Sequence, residues 1–313
     1  MTSWRFWLRA VVGLGLLAWI IGRTDLHALT IRVGPGLLLG VVGAVTAIAV
    51  AQGLAAWRWR VIIGPGAPPW GYLYRLYLIG LFFSLFLPTS IGGDTVRAAA
   101  ASAGSVNPGS AVASVLLDRI VVVIALVFYF MLGVLLDPGA FTHLAGEIGV
   151  RMPGGAKLAA GGFGLLVILV GLVVLGRRSA GVRRAIDEGK RLTLLFARSP
   201  GALGRALGLG LAVQGVYILA WGALAAGLGW SLPLGFLLFA VPFVSLAAMA
   251  PVTISGLGVR EGAWLLLLAP RGIPGPDAVA YGLLYFLSVM IVAASGGLLF
   301  TVRGVAVPER GFA

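Results

Sequence analysis

Six ionisable residues lie deep inside apolar sequence: Asp94, Arg97, Asp118, Arg119, Arg260 and Glu261. In hydrocarbon each costs about 2.5–3.5 kcal/mol on insertion scales, so six unpaired would cost roughly 15–20 kcal/mol. They must be paired, hydrated or bound to a ligand. Four of them fall in or beside two similar segments. Pro88-Thr-Ser-Ile-Gly-Gly-Asp-Thr-Val-Arg97 recurs in the second half of the chain as Pro251-Val-Thr-Ile-Ser-Gly-Leu-Gly-Val-Arg260. Both run proline, any residue, Ser or Thr, Ile, a small residue, Gly, two variable residues, then Val-Arg.

This pattern suits an anion better than a metal cation. In each copy a Gly-rich turn precedes a helix-forming run. Asp94 is a good N-cap residue, and a helix starting there points free N–H groups and a partial positive charge at the turn. Gly92, Gly93, Gly256 and Gly258 let a ligand approach the backbone closely, and Ser90 and Thr253 stand at matching positions in the two turns. Arg97 and Arg260 fall in the first helical turns, where a guanidinium can grip a phosphate bidentately. Two such helix ends meeting near the membrane midplane would form a positive pocket for an anionic head group. The turns have no Gly-Lys-Ser/Thr and are not P-loops. The two histidines, His27 and His143, sit in predicted external loops, so neither a metal nor a cofactor is expected.

A polar stripe accompanies the turns. Asn107 followed by Pro108 predicts a helix start. Ser110, Ser114 and Asp118 then recur every four residues and share a face that should look into a helix bundle. Arg119 is rotated about 100° from Asp118, so the two should serve different partners. Asp118 is expected to pair with Arg97 or Arg260. A competing role for all these charges is an ion-pair lock between two halves of the chain. Gln52 and Gln214 either line a path or join helices by hydrogen bonds.

The elements that must hold these residues are helices. Hydrophobic residues make up 60% of the 313-residue chain and charged residues 11%, the composition of an integral membrane protein. The apolar runs lack the period-2 alternation of outer-membrane strands, so the fold class is an all-α bundle. Six spans are predicted, at 4–22, 36–57, 107–136, 156–176, 203–227 and 277–302, each long enough to cross the hydrocarbon core. Two further apolar regions, 71–103 and 231–270, are broken by the repeated motif and read as re-entrant helical hairpins. The first segment resembles a signal peptide but lacks a small-x-small cleavage site, and it reads as a retained helix. The absence of cysteine excludes disulfide and thiolate chemistry. The net charge of +13 suits anionic lipid surfaces rather than nucleic acid, because the basic residues collect in loops beside the spans.

Arg and Lys in short loops set the orientation. Loop 177–199 carries seven of them against Asp187 and Glu188, and is placed in the cytoplasm. Arg5 and Arg9, Arg58 and Arg60 after the second span, and Arg303 and Arg310 agree, so both termini are expected inside. The first broken region is then entered from the cytoplasm and the second from outside. The halves, about 36–136 and 203–302, form a single transmembrane domain as an inverted repeat. Gln52-Gly53 and Gln214-Gly215 match at nearly the same offset as the two motifs. Residues 181–198 read as an amphipathic helix on the cytoplasmic leaflet or as a solvated basic loop. Trp4, Trp57, Trp59, Trp70, Tyr72 and Trp230 near span ends read as an interfacial belt.

Several of these stretches resemble the flippase-like transmembrane region of lysylphosphatidylglycerol synthases. They are Arg58-Trp59-Arg60, Leu87-Pro-Thr-Ser-Ile-Gly-Gly-Asp-Thr-Val-Arg97, Leu117-Asp-Arg119 and, most specifically, Ser255-Gly-Leu-Gly-Val-Arg-Glu-Gly262. Pro88-Thr89 departs from the family's usual Pro-Gly. The resemblance implies movement of lipids between leaflets. It does not imply lysine transfer, which in the family belongs to a soluble C-terminal domain; the short stretch after Arg303 leaves no room for one. The expected function is a lipid translocase of the inner membrane, not an enzyme. Its partners would be lipids with anionic or phosphate head groups, with a second copy of the chain or a lipid-synthesising enzyme as further candidates. The alternatives are a membrane enzyme acting on a lipid phosphate or lipid-linked sugar, and a non-catalytic scaffold. An enzyme would draw its acid and base from Asp94, Asp118 and Glu261, yet each has an arginine close by in sequence.

Overall fold

The structure, a computed structural model, describes residues 34–86, 92–103, 106–147, 200–249 and 256–303. The predicted spans 4–22 and 156–176, the loop 177–199, and Ser90 and Thr253 lie outside them. Every regular element among the described residues is helical: α1 (Pro35–Ile63), α2 (Trp70–Phe86), α3 (Gly92–Ala103), α4 (Pro108–Leu136), α5 (Pro138–Glu147), α6 (Pro200–Gly227), α7 (Leu234–Met249), α8 (Val259–Leu268) and α9 (Gly275–Arg303), with a short 3-10 turn at Ala269–Arg271. Four helices open on proline, whose missing N–H and preset φ suit a first turn. The Asn107 side chain accepts from the Gly109 N–H at 2.9 Å and caps α4 as its sequence predicts.

Helices α1, α4, α6 and α9 are each long and apolar enough to cross a membrane. They coincide with four of the six predicted spans, and the chain is a multi-pass membrane protein. On α4, Val112, Leu116, Ile120, Ile124 and Phe128 are exposed at every fourth residue, while Ser114 and Asp118 are buried. Apolar side chains thus face outward and polar ones inward, as a bilayer requires. In the first motif region α2 and α3 lie side by side, with the Tyr72 hydroxyl donating to the Ala100 carbonyl and Gly80 against Gly93; in the second, a turn at Gly256–Gly258 leads into α8.

Small residues let the long helices touch backbone to backbone, the usual means of association where lipid is as apolar as leucine. Helices α1 and α6 run antiparallel. A Cβ on Gly40 would stand 2.8 Å from the Ala223 carbonyl oxygen, and further along the pair the Gln52 amide donates to the Tyr217 hydroxyl at 3.2 Å. The remaining contacts come in mates. Helix α4 packs on α7 as α9 packs on α2, and α3 on α4 as α8 on α9. In the first mated pair, a Cβ on Gly133 would collide with the backbone of Leu238 and Phe239, and one on Gly296 with the backbone of Leu78. Gly133 and Gly296 stand at the same separation in sequence as Arg97 and Arg260 of the two motifs.

Gly133→Val and Gly296→Val are each expected to destabilise the purified protein by about 1–3 kcal/mol through overpacking. Gly204→Val, on an open face of α6, should change stability by less than about 0.5 kcal/mol. Thermal unfolding in detergent checks this, and equal effects at all three positions would remove the close-contact account.

Candidate functional site

Four helices bring one ionic network together. Arg58 projects from α1, Tyr77 from α2, Asp94 and Arg97 from α3, and Asp118 and Arg119 from α4. Arg58 Nε lies 2.7 Å from Asp118 Oδ1, and the Tyr77 hydroxyl donates to Asp118 Oδ2 at 2.6 Å. Arg97 Nη2 lies 2.6 Å from Asp94 Oδ1 and 3.5 Å from Asp118 Oδ2. Arg119 Nε lies 2.6 Å from Asp94 Oδ2. Arg58, Asp94, Arg97 and Asp118 are all buried. Burying charges is tolerable because each carboxylate takes two or three donors; removing one partner would strand its mate.

Neutral groups fix the geometry. The Arg97 guanidinium carbon sits 4.0 Å from the Tyr77 ring centroid and 5.0 Å from that of Trp59, in a cation–π sleeve. Trp59 is held in turn by its ring N–H, which donates to Ser114 Oγ at 3.0 Å. Gly80 and Gly93 press α2 against α3. A Cβ on Gly80 would stand 3.1 Å from both the Gly93 oxygen and Arg97 Cγ, so Arg97 reaches Asp118 only because α2 offers no side chain there. Gly92 begins α3. Two guanidinium nitrogens, Arg58 Nη1 and Arg97 Nη1, are buried without any hydrogen-bond partner. Such orphan donors cost about 1–3 kcal/mol each.

The second motif is built differently. Gly256 and Gly258 adopt φ of 72° and 82°, the left-handed region that favours glycine, and turn the chain into α8. The Glu261 carboxylate reaches back to accept the Gly258 N–H at 2.7 Å. Its other oxygen takes Arg260 Nη2 at 2.7 Å and Nε at 3.1 Å. Glu261 is fully buried and packs against Gly282 of α9.

Asp118 pairs with Arg97, one of the two arginines expected for it, and Arg260 pairs with its own neighbour Glu261. Other expectations are corrected here. Asp94 is not the N-cap: α3 starts at Gly92, ahead of it, and the carboxylate is taken by Arg97 and Arg119. Arg58 is not a loop residue, because α1 continues to Ile63 and buries it; Arg60 remains exposed. Trp59 leaves the interfacial belt for the centre of the site. Arg119 does serve a different carboxylate from the one beside Arg58. Gln52 bridges α1 and α6, and Gln214 is buried on α6. Arg58 and Tyr77 were missed as site residues. Arg58 carried a signal in the Arg-Trp-Arg triplet, whereas Tyr77 carried none in an apolar run. Within the membrane interior the ion pairs between described residues join members of 58–119 to each other or Arg260 to Glu261, so they do not lock one half to the other.

Long apolar helices around a buried, hydrogen-bonded charge network define a multi-pass membrane protein with a polar interior site. The family model of the lysylphosphatidylglycerol synthase TM region matches residues 6–296, and the chain belongs to that family. No curated protein and no solved structure matches it.

Asp118→Asn should destabilise the protein by about 3–5 kcal/mol, because it leaves Arg58 and Arg97 short of a buried counter-charge. Adding Arg58→Gln should recover part of that loss, with a coupling of about 0.5–3 kcal/mol. Adding Arg260→Gln instead should give simple additivity. Unfolding midpoints of the single and double variants in detergent measure both couplings, and equal couplings would contradict the pairing.

Proposed function

We propose that the protein is a flippase-like lipid translocase, moving a polar or anionic lipid between leaflets past its buried charge network. The observation that carries this is the network itself: Arg58, Arg97, Asp94 and Asp118 are buried together inside the bundle, with the partly exposed Arg119 on Asp94, and two of the guanidinium nitrogens have no hydrogen-bond partner. A charge-rich interior in a membrane protein is a default marker of a substrate route. Membership of a lipid-synthase transmembrane family favours lipid as the substrate. A groove of about 710 Å³ between α1 and α2, lined by Val50, Leu54, Trp57, Trp70 and Tyr74 with Arg60 toward one end, offers an apolar surface suited to an acyl chain.

On this reading the two motif-bearing regions are re-entrant hairpins, and the six spans and two hairpins form an inverted repeat in the inner membrane with both termini cytoplasmic. The antiparallel α1 and α6 and the mated helix contacts support that arrangement. Alternate exposure of the site would come from one half rocking on the other. A translocase of this kind transfers no lysine and catalyses no covalent step. Every carboxylate of the site is held by arginine, tyrosine or backbone N–H, which suits binding better than proton transfer. Its partners are membrane lipids, and no cofactor takes part.

The test is reconstitution into liposomes with a head-group-accessible fluorescent phospholipid, quenched from outside. The wild-type protein should make both leaflets accessible, and Arg97→Lys should slow this by about tenfold or more through loss of the guanidinium's paired donors. Chemical turnover of the lipid without movement would replace this reading by the enzyme one, and neither movement nor turnover would favour a scaffold.

A further inference from the structure

The last turns of α1 have two unlike faces. Arg58 and Trp59 turn inward to the charge network. Trp57 and Arg60 turn outward and are exposed. The outward face continues as a stripe of Thr46, Val50, Gly53, Trp57 and Arg60, spaced three or four residues apart, which lines the groove of about 710 Å³ between α1 and α2. That volume lies within the range of about 300–1,000 Å³ common to ligand pockets. From Thr46 to Arg60 the stripe runs about 21 Å at a helical rise of about 1.5 Å per residue. One leaflet of the hydrocarbon core is about 15 Å deep. The groove is therefore long enough for an acyl chain that starts at the level of Arg60.

The opposite wall is fixed before any ligand arrives. The Trp70 ring N–H donates to the Gly53 carbonyl at 2.9 Å, and the Tyr74 hydroxyl donates to the Ala49 carbonyl at 3.4 Å. The two rings stack, with centroids 5.3 Å apart and planes 6° from parallel. They form a flat aromatic strip pinned to α1, and a Cβ on Gly53 would stand 3.4 Å from the Trp70 ring. A wall held in advance loses little side-chain freedom on binding. Charge is placed at one end only. Arg60 is the sole charged residue among the described lining residues. Arg58, Arg97 and Arg119 are each held by an aspartate, whereas no described acid pairs with Arg60.

We infer that this groove is the seat of one anionic phospholipid, with its phosphate on Arg60, its head-group region beside Trp57 and one acyl chain along the Trp70–Tyr74 strip. A lone exposed guanidinium at the mouth of an apolar groove complements a phosphate in charge and in its fork of donors. Tryptophan at that level suits the head-group zone. The lipid's role as cargo rests on the translocase reading; the seat rests on the groove.

Native mass spectrometry of the full chain, released from maltoside detergent, tests this with dioleoylphosphatidylglycerol and dioleoylphosphatidylcholine as probes. The anionic lipid should bind about fivefold tighter, the worth of one arginine beside anionic lipid. Arg60→Gln should abolish that preference. Arg205→Gln, which removes an exposed charge near the start of the antiparallel α6, should stay within about twofold. Val50→Trp fills the groove and should weaken both lipids by about tenfold, the burial of a few methylene groups. Leu116→Trp, on the outward face of α4, should leave both unchanged. Equal binding of the two lipids by the wild-type chain would overturn the inference without any variant. Equal losses at Arg60 and Arg205 would reduce Arg60 to general surface charge and overturn it. Unaltered binding in Val50→Trp would place the lipid elsewhere and overturn it. A dimer lost in Val50→Trp, with lipid binding intact, would make the groove a contact between two copies and overturn it. The expected binding pattern with no lipid movement in wild-type liposomes would support the seat and remove the translocase. Movement in wild-type liposomes with binding unaltered in Val50→Trp would do the reverse.

Discussion

A guanidinium inside a bilayer cannot be left to water, and this one constraint organises the first half of the molecule. Arg58 and Arg97 are buried, so their charges must be answered by groups that the fold supplies. No single helix can do it. Asp118 comes from α4 and reaches both arginines, Tyr77 from α2 supports Asp118, and Asp94 from α3 takes Arg97, which is possible only if α1 to α4 pack at close range. The close range is in turn a matter of glycine. Gly80 and Gly93 let α2 and α3 touch, and Arg97 lies along the gap they leave. A larger residue at either place would push the cation away from its acids. The electrostatic demand and the small-residue packing are therefore one requirement seen from two sides.

Much of this was legible in the sequence, for identifiable reasons. Long apolar runs predicted α1, α4, α6 and α9, because hydrocarbon thickness fixes span length. The Asn107-Pro108 pair predicted where α4 begins, because capping is local chemistry. The repeated motif located the turn into α8, because Gly256 and Gly258 accept the left-handed backbone that ends one helix and starts another. Partner choice was less legible. Asp118 had two sequence-plausible arginines, and only three-dimensional packing selects Arg58 and Arg97 over Arg260. Arg58 was misplaced because a positive residue near the end of an apolar run looks like an interfacial anchor. What distinguishes it is the continuation of the helix beyond it to Ile63, and helix ends are read poorly from sequence. Tyr77 had no signal, since a tyrosine in an apolar stretch is as good a core residue as a donor. Gly133 and Gly296 share the motif spacing, but in a chain with 48 glycines that match stands out only once both are found against backbone.

The placement of the ion pairs bears on how such a molecule could move. An ion-pair lock between the halves would require charges facing each other across their boundary. In the interior, the described pairs instead stay within 58–119 or within residues 260 and 261. Between described residues, what crosses the boundary in the interior is uncharged: Gly40 against Ala223 and Gly227, Gly133 against Phe239, Gly296 against Leu78, and the hydrogen bonds of Gln52 to Tyr217 and of the Tyr129 hydroxyl to the Leu211 carbonyl. Arg271 and Asp137, at 2.6 Å, do join the end of α8 to the end of α4, but both are partly exposed at the ends of the helices. An exposed pair contributes little and re-forms readily in water. Sliding one half on the other would thus disturb dispersion contacts, uncharged hydrogen bonds and one solvated ion pair, and leave the described pairs among 58–119 and between residues 260 and 261 intact. A rocking motion is compatible with a charged membrane interior only when the charges are neutralised within the moving bodies, and that is how the ion pairs between described interior residues are distributed.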